Sequence, residues 1–174
     1  MGWLKAAGIV LVIAGSGLWG LMGARRLAQR VEELKNLRLA LNFLEKEITY
    51  MHTPLSSAFK KTAYFCAPPL SCFFLACSER LDKKAGVTAA EAWMTGLKEL
   101  QKISSLKPED IELLKTVAMQ IGMSDTYEQH KFLALLQEEL KIIEQKAREE
   151  AQTGGKLWSY GGFILGALLV LLFI

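Results

Sequence analysis

Two kinds of hydrophobic pattern divide this chain. At its ends polar positions disappear: no charged residue falls between Lys5 and Arg25, and none from Leu157 to Ile174. Between the ends, apolar residues recur every three or four positions, the period of a helix with one buried face. Leu34, Leu37, Leu41, Leu44, Ile48 and Met51 form one heptad-like stripe, and Leu133, Leu136, Leu140, Ile143 and Ala147 form another. The first stripe leaves the N-terminal apolar segment and the second leads into the C-terminal one. The pattern predicts two long antiparallel helices continuous with the ends. Opposite charges four residues apart, Glu144 with Arg148 and Lys146 with Glu150, mark their outer faces. No stretch alternates with the strand period.

Helix start and stop residues divide the remainder into four shorter helices. Thr53-Pro54 reads as an N-cap followed by proline at the first helical position, opening a helix through Leu55, Phe59 and Ala63. Pro68-Pro69 ends that helix and opens the next, which buries Leu70, Phe73, Phe74, Cys77 and Leu81. Ala85-Gly86-Val87 is a turn. Thr88 with Glu91 has the spacing of a capping box ahead of Trp93, Leu97 and Leu100. Pro108 starts a fifth helix that buries Ile111, Leu114, Val117 and Ile121, with Gly122 at its end. Asp125 and Glu128 supply a second capping box for the long return helix, and Gly154-Gly155 is expected to loosen its joint with the final segment.

The terminal segments have the length and character of membrane spans. Residues 6–23 would rise about 27 Å as a helix, close to the hydrocarbon thickness of a bilayer. A signal peptide would place its cations before the apolar run, whereas here Arg25, Arg26 and Arg30 follow it. Arg148 and Lys156 precede the second run. Both flanks point the same way under the positive-inside rule. The expected arrangement is all-α: transmembrane helices at 6–23 and 157–174 flank a compact six-helix cytoplasmic bundle at 25–155, with both termini outside. Trp3, Trp158 and Tyr160 fall at the span ends, where amphipathic rings favour the headgroup level. Gly162 with Gly166, and Ser16, Gly20 and Ala24, give the spans small-residue ridges suited to close helix packing in lipid.

Composition adds mainly exclusions. Apolar residues make up 51% of the 174 residues, and the net charge of +3 is too small for a nucleic-acid footprint. The basic cluster at Arg25, Arg26 and Arg30 fits anionic lipid headgroups better than nucleic acid. Cys66, Cys72 and Cys77 are odd in number, irregularly spaced and without a nearby histidine, so they read as reduced thiols rather than a disulfide or zinc framework. Glu45 and Glu47 lie two apart on a helix and point to different sides, which excludes a paired acid and base. His52 and His130 sit at helix boundaries or on the surface. Gly154-Gly155-Lys156 lacks the earlier glycine and the following Ser or Thr of a phosphate loop. Nothing here reads as an active site, and no cofactor, metal, nucleic acid or small-molecule substrate is expected.

Four stretches carry a family resemblance. They are Leu39-Ala40-Leu41 through Tyr50-Met51-His52-Thr53-Pro54-Leu55-Ser56 and Ala58; Ala90-Glu91-Ala92-Trp93; Gly122-Met123-Ser124-Asp125 followed by Gln129-His130-Lys131; and Lys156-Leu157-Trp158 leading to Gly161-Gly162. Together, in order and nearly end to end, they resemble the stage III sporulation protein AB family of endospore-forming bacteria.

The resemblance implies a mother-cell membrane protein of the complex between mother cell and forespore. It further implies a helical domain similar to the cytoplasmic domains of platform proteins in type II secretion and type IV pilus systems, which lie against a hexameric ATPase. This chain has one such domain and two spans, where a platform protein has two domains and more spans. An ATPase-like subunit, other proteins of the complex and membrane lipid are the implied partners. Docking is assigned to Glu45, Glu47, His52, Pro54, Leu55, Ser56, Ser124 and Asp125. Two rival readings are a membrane-anchored adaptor or sensor with an apolar ligand pocket, and a cysteine-dependent enzyme.

Overall fold

The structure is a computed structural model that describes the backbone of residues 2–83, 86–121 and 126–173. The side chains described leave out 2, 4–7, 9–10, 12–13, 126–130, 156, 159, 162–163, 165–169 and 171–173. Among these residues the chain is all-helical. It forms α1 (Gly2–Thr49), α2 (Leu55–Phe65), α3 (Leu70–Lys83), α4 (Ala89–Ile103), α5 (Pro108–Gln120) and α6 (Thr126–Phe173). It divides into two compact units: the central one is Glu32–Glu144, and the other pairs Met1–Val31 with Gln145–Ile174.

The central unit is built around aromatic rings. α2, α3, α4 and α5 pack in sequence, each on the next. Phe59, Phe73, Phe74 and Trp93 are fully buried, and Phe73 meets Trp93 edge-on at 4.8 Å between centroids. The Trp93 indole N–H donates to the Leu114 carbonyl at 2.8 Å, tying α4 to α5. Buried indoles usually find such a partner, because an orphaned donor costs free energy. α1 and α6 run antiparallel within this unit: Arg38 pairs with Glu144 at 3.1 Å, and Asn42 donates to Gln137 at 3.1 Å. Leu34, Leu37, Leu41, Leu44, Leu133, Leu136 and Leu140 are buried along them.

Several boundaries fall where local chemistry puts them. The Thr88 hydroxyl accepts from the Glu91 N–H at 3.2 Å and the Glu91 carboxylate accepts from the Thr88 N–H at 3.4 Å, completing the capping box. Pro108 occupies the first turn of α5, and Pro68-Pro69 separates α2 from α3. Gly86, at φ +91, makes its turn with a backbone that favours glycine. Replacing Thr88 with Ala is expected to cost about 1 kcal/mol of stability, read as a lower urea midpoint of the purified protein with an unchanged slope.

Other expectations are corrected. α2 starts at Leu55 with Pro54, not Thr53, in the N-cap position. The Thr53 hydroxyl donates to Glu47 instead of capping the helix. Met51 leaves the core stripe and is 69% exposed, because α1 has ended two residues earlier. Ile143 is only half-buried, while the neighbouring Glu144 is buried and paired with Arg38. α6 passes through Gly154-Gly155 without a break. A β-carbon on Gly154 would stand 3.0 Å from Leu27, so this glycine thins the helix for a close neighbour rather than loosening a joint. Gly122 and the Asp125 of the second capping box lie outside the described residues.

In the other unit, the ends of α1 and α6 also pack antiparallel. Trp19 meets Trp158 edge-on at 5.3 Å, and Arg30 pairs with Glu150 at 2.9 Å. Arg30 is therefore turned inward on a carboxylate rather than outward with Arg25 and Arg26. Among the described residues no helix is long and apolar enough to cross a membrane.

Candidate docking surface at the junction of α1 and α2

The most distinctive stretch of the sequence folds as a tight, clasped turn. α1 unwinds at Thr49, and its last carbonyls are satisfied from beyond the helix: the Tyr50 and Met51 N–H groups donate to Lys46 at 3.0 and 3.2 Å, and the Thr53 N–H to Glu47 at 3.0 Å. His52 takes a left-handed backbone, φ 50, which reverses the chain. Pro54 then fixes the entry to α2.

Glu47 holds the turn from the helix side. Its carboxylate accepts from the Thr53 hydroxyl at 2.7 Å and from the Lys61 ammonium at 2.6 Å. The hydrogen bond from Lys61, and after it the one from Thr53, hold the Glu47 carboxyl below the usual carboxylate range. One carboxylate thus joins the end of α1, the turn and α2. Phe43 stacks on Phe65 at 4.9 Å with ring planes 4° apart, a second link between the same helices.

Large apolar and aromatic residues are exposed in the turn and at the far end of α2. Tyr50 is 67% exposed, Tyr64 80% and Phe65 56%, and Met51 and His52 are exposed beside them in the chain. Of the residues assigned to docking, His52 and Pro54 are exposed, while Leu55 and Ser56 are half-buried. Glu45 is buried and accepts from the Gln137 amide at 2.7 Å, so it holds α1 against α6 and presents nothing outward. Glu47 serves the clasp. Ser124 and Asp125 lie outside the described residues. Tyr50, Tyr64, Phe65 and Lys61 are not among the residues assigned to docking from the sequence. Only the position of Tyr50 and Met51 beyond the helix end, just ahead of a proline, carried a signal for them.

The small-residue positions belong to the other unit. Gly20 is buried, and Ser16 and Ala24 are half-buried. At Gly23, in the same stretch of α1, a β-carbon would stand 2.7 Å from the Trp158 ring. The surroundings of Gly162 and Gly166 lie outside the described residues.

Two of the three thiols are wholly or partly buried. Burial pushes the Cys66 thiol up to about 11 and the Cys77 thiol far above the range of a usable nucleophile. Cys72 is exposed. Among the described residues no group of His, Cys, Asp and Glu is placed to hold a metal ion.

Comparison with known proteins places the chain among relatives. The family model described as Stage III sporulation protein AB matches residues 5–174. Stage III sporulation protein AB of Bacillus subtilis (strain 168) is 34% identical over 169 residues, covering 97% of this chain and 98% of the relative. A solved structure of a Stage III sporulation protein AB superposes with a TM-score of 0.67 at 37% identity, covering 72% of this chain and 98% of that one. A match running from Lys5 to the last residue, joined to the shared helical fold, establishes that this chain belongs to the stage III sporulation protein AB family.

Proposed function

We propose that this sporulation protein is a two-span component of the membrane complex between mother cell and forespore. Its helical domain docks a cytoplasmic ATPase-like subunit against membrane partners and performs no bond chemistry of its own. Residues 6–23 and 157–174 cross the membrane with both termini outside, and residues 25–155 lie on the mother-cell cytoplasmic side.

The observation that carries the docking role is the clasped turn. Tyr50, Met51, Tyr64 and Phe65 are large, apolar and exposed, on a backbone held in place by Glu47. Rigid exposed aromatics lose little entropy on binding and are typical interface anchors. The membrane placement draws on a second set of exposed residues: Leu11, Leu18, Leu21 and Met22 on α1, and Leu157 and Ile164 on α6. A helix apolar on all sides is either buried in protein or immersed in lipid.

Combining Tyr50→Ala, Met51→Ala and His52→Ala in the full-length protein tests the docking surface. Loss of two or three anchors is expected to lower recovery of the ATPase-like subunit from sporulating cells at least ~10-fold, with the abundance of the variant unchanged. Recovery equal to the parent, at equal abundance, removes the turn from the docking surface.

A further inference from the structure

Beside the packed indoles of the terminal unit lies an open groove of about 490 Å³, within the size range of small-molecule sites. Its walls combine two kinds of chemistry. Trp19, Met22, Leu27 and Trp158 give it apolar lining residues, and Arg25 and Arg26 give it two basic ones. Gly23 also lines it and, having no β-carbon, lets the Trp158 ring lie directly against α1.

The two arginines of the groove differ from the third of the cluster. Arg30 is 7% exposed and its charge is answered by Glu150 at 2.9 Å. Arg25 and Arg26 are exposed, and among the described residues neither makes an ion pair. Adjacent uncompensated guanidinium groups favour a ligand with phosphate oxygens, because their fork of N–H donors matches that geometry. The adjoining apolar wall, with Trp19 65% and Met22 63% exposed, calls for a hydrocarbon portion on the same ligand. A phosphate joined to hydrocarbon is the chemistry of a phospholipid, and the positive charge selects an anionic one.

We propose that this groove is a binding site for one anionic phospholipid, its phosphate on Arg25 and Arg26 and its acyl chains along Trp19, Met22 and Trp158. The site rests on the membrane placement proposed above and adds selectivity to it. A bilayer surface attracts cations in general, whereas this groove retains one lipid against exchange with its neutral neighbours.

The test uses full-length protein carrying Trp3→Phe, which leaves Trp19 and Trp158 as the exposed indoles over a constant contribution from buried Trp93. It is reconstituted in nanodiscs of phosphatidylcholine with phosphatidylglycerol as the minor lipid. Brominated acyl chains, which quench indole fluorescence on contact, are placed on one lipid or the other, so that surface charge is identical in both samples. Quenching per mole of label is expected to be up to about 30-fold greater from phosphatidylglycerol, the enrichment that two juxtamembrane cations at about 1 kcal/mol each support. Arg25→Gln with Arg26→Gln is expected to make the two labels equal without lowering quenching by phosphatidylcholine. Equal quenching per mole in the parent overturns the site while leaving the chain in the bilayer. Absence of quenching by either label overturns the membrane placement and the site with it. If added inorganic phosphate at constant ionic strength removes the preference, the groove takes free phosphate and the lipid assignment is wrong.

Discussion

Trp93→Ala is expected to be the most damaging single substitution in the central unit, lowering its stability by about 4 kcal/mol. Three losses coincide there. The indole is fully buried, so its removal forfeits the transfer free energy of a large ring and leaves a cavity that helices on several sides must fill. It is also the common neighbour of Phe59, Phe73 and Phe74, with centroids at 6.0, 4.8 and 6.2 Å. Finally, the Leu114 carbonyl loses the N–H that joins α4 to α5. With a urea slope of about 2 kcal/mol per molar, the midpoint should fall by ~2 M. Against a total of roughly 5–15 kcal/mol, that loss should also reduce abundance in cells. Trp93→Phe separates the contributions: it keeps most of the ring contacts and loses the hydrogen bond, so a loss of about 1–2 kcal/mol is expected. A midpoint for Trp93→Ala close to that of the parent would mean that this ring is not the centre of the core.

The features of the fold that could be read from sequence are those decided locally. Thr88 and Glu91 carry both halves of their capping box within four residues, and Pro108 needs only its own ring to sit in a first helical turn. The leucine stripes of α1 and α6 are legible because burial follows the helix period. Where the outcome depends on which side chain folds back to meet a residue, its identity alone does not reveal it. Thr53 has the identity of an N-cap, yet its hydroxyl is taken by Glu47 with help from Lys61, eight residues onward. Glu144 looks like a solvated charge on a polar face and is buried because Arg38 meets it from α1. Gly154 looks like a hinge and is a close-packing residue because Leu27 lies opposite.

The candidate site divides in the same way. The stretch from Tyr50 to Ser56 was recognisable by its similarity to a family, but the division of labour within it was not. Glu45 and Glu47, two residues apart, hold different elements: one reaches Gln137 on α6, the other Thr53 and Lys61. The exposed residues that remain for a partner are Tyr50 and Met51, exposed because α1 stops just before them, and Tyr64 and Phe65 at the far end of α2.

The second large effect is expected at Gly96, where the sign opposes helix propensity. In an exposed helix interior, glycine to alanine gains about 1 kcal/mol. In α4, however, the new β-carbon would lie 2.5 Å from the Cys77 sulfur, 2.9 Å from the Phe73 ring and 2.9 Å from the Phe73 carbonyl oxygen. The sulfur and ring have little room, since both side chains are fully buried, and the carbonyl belongs to the backbone of α3. α4 must therefore move off α3, and overpacking of this kind outweighs the propensity gain, for a net loss of about 2–3 kcal/mol. The double substitution Gly96→Ala with Cys77→Ala identifies the cause. Removing the sulfur relieves its clash but leaves the carbonyl, so the pair should be less destabilised than the sum of the single variants by about 1 kcal/mol or more. Strict additivity in urea denaturation would show that the helices accommodate the methyl without meeting Cys77. A stabilised Gly96→Ala would show that α3 and α4 are not in contact at this point, and the close packing that sets the shape of the aromatic core would have to be rejected.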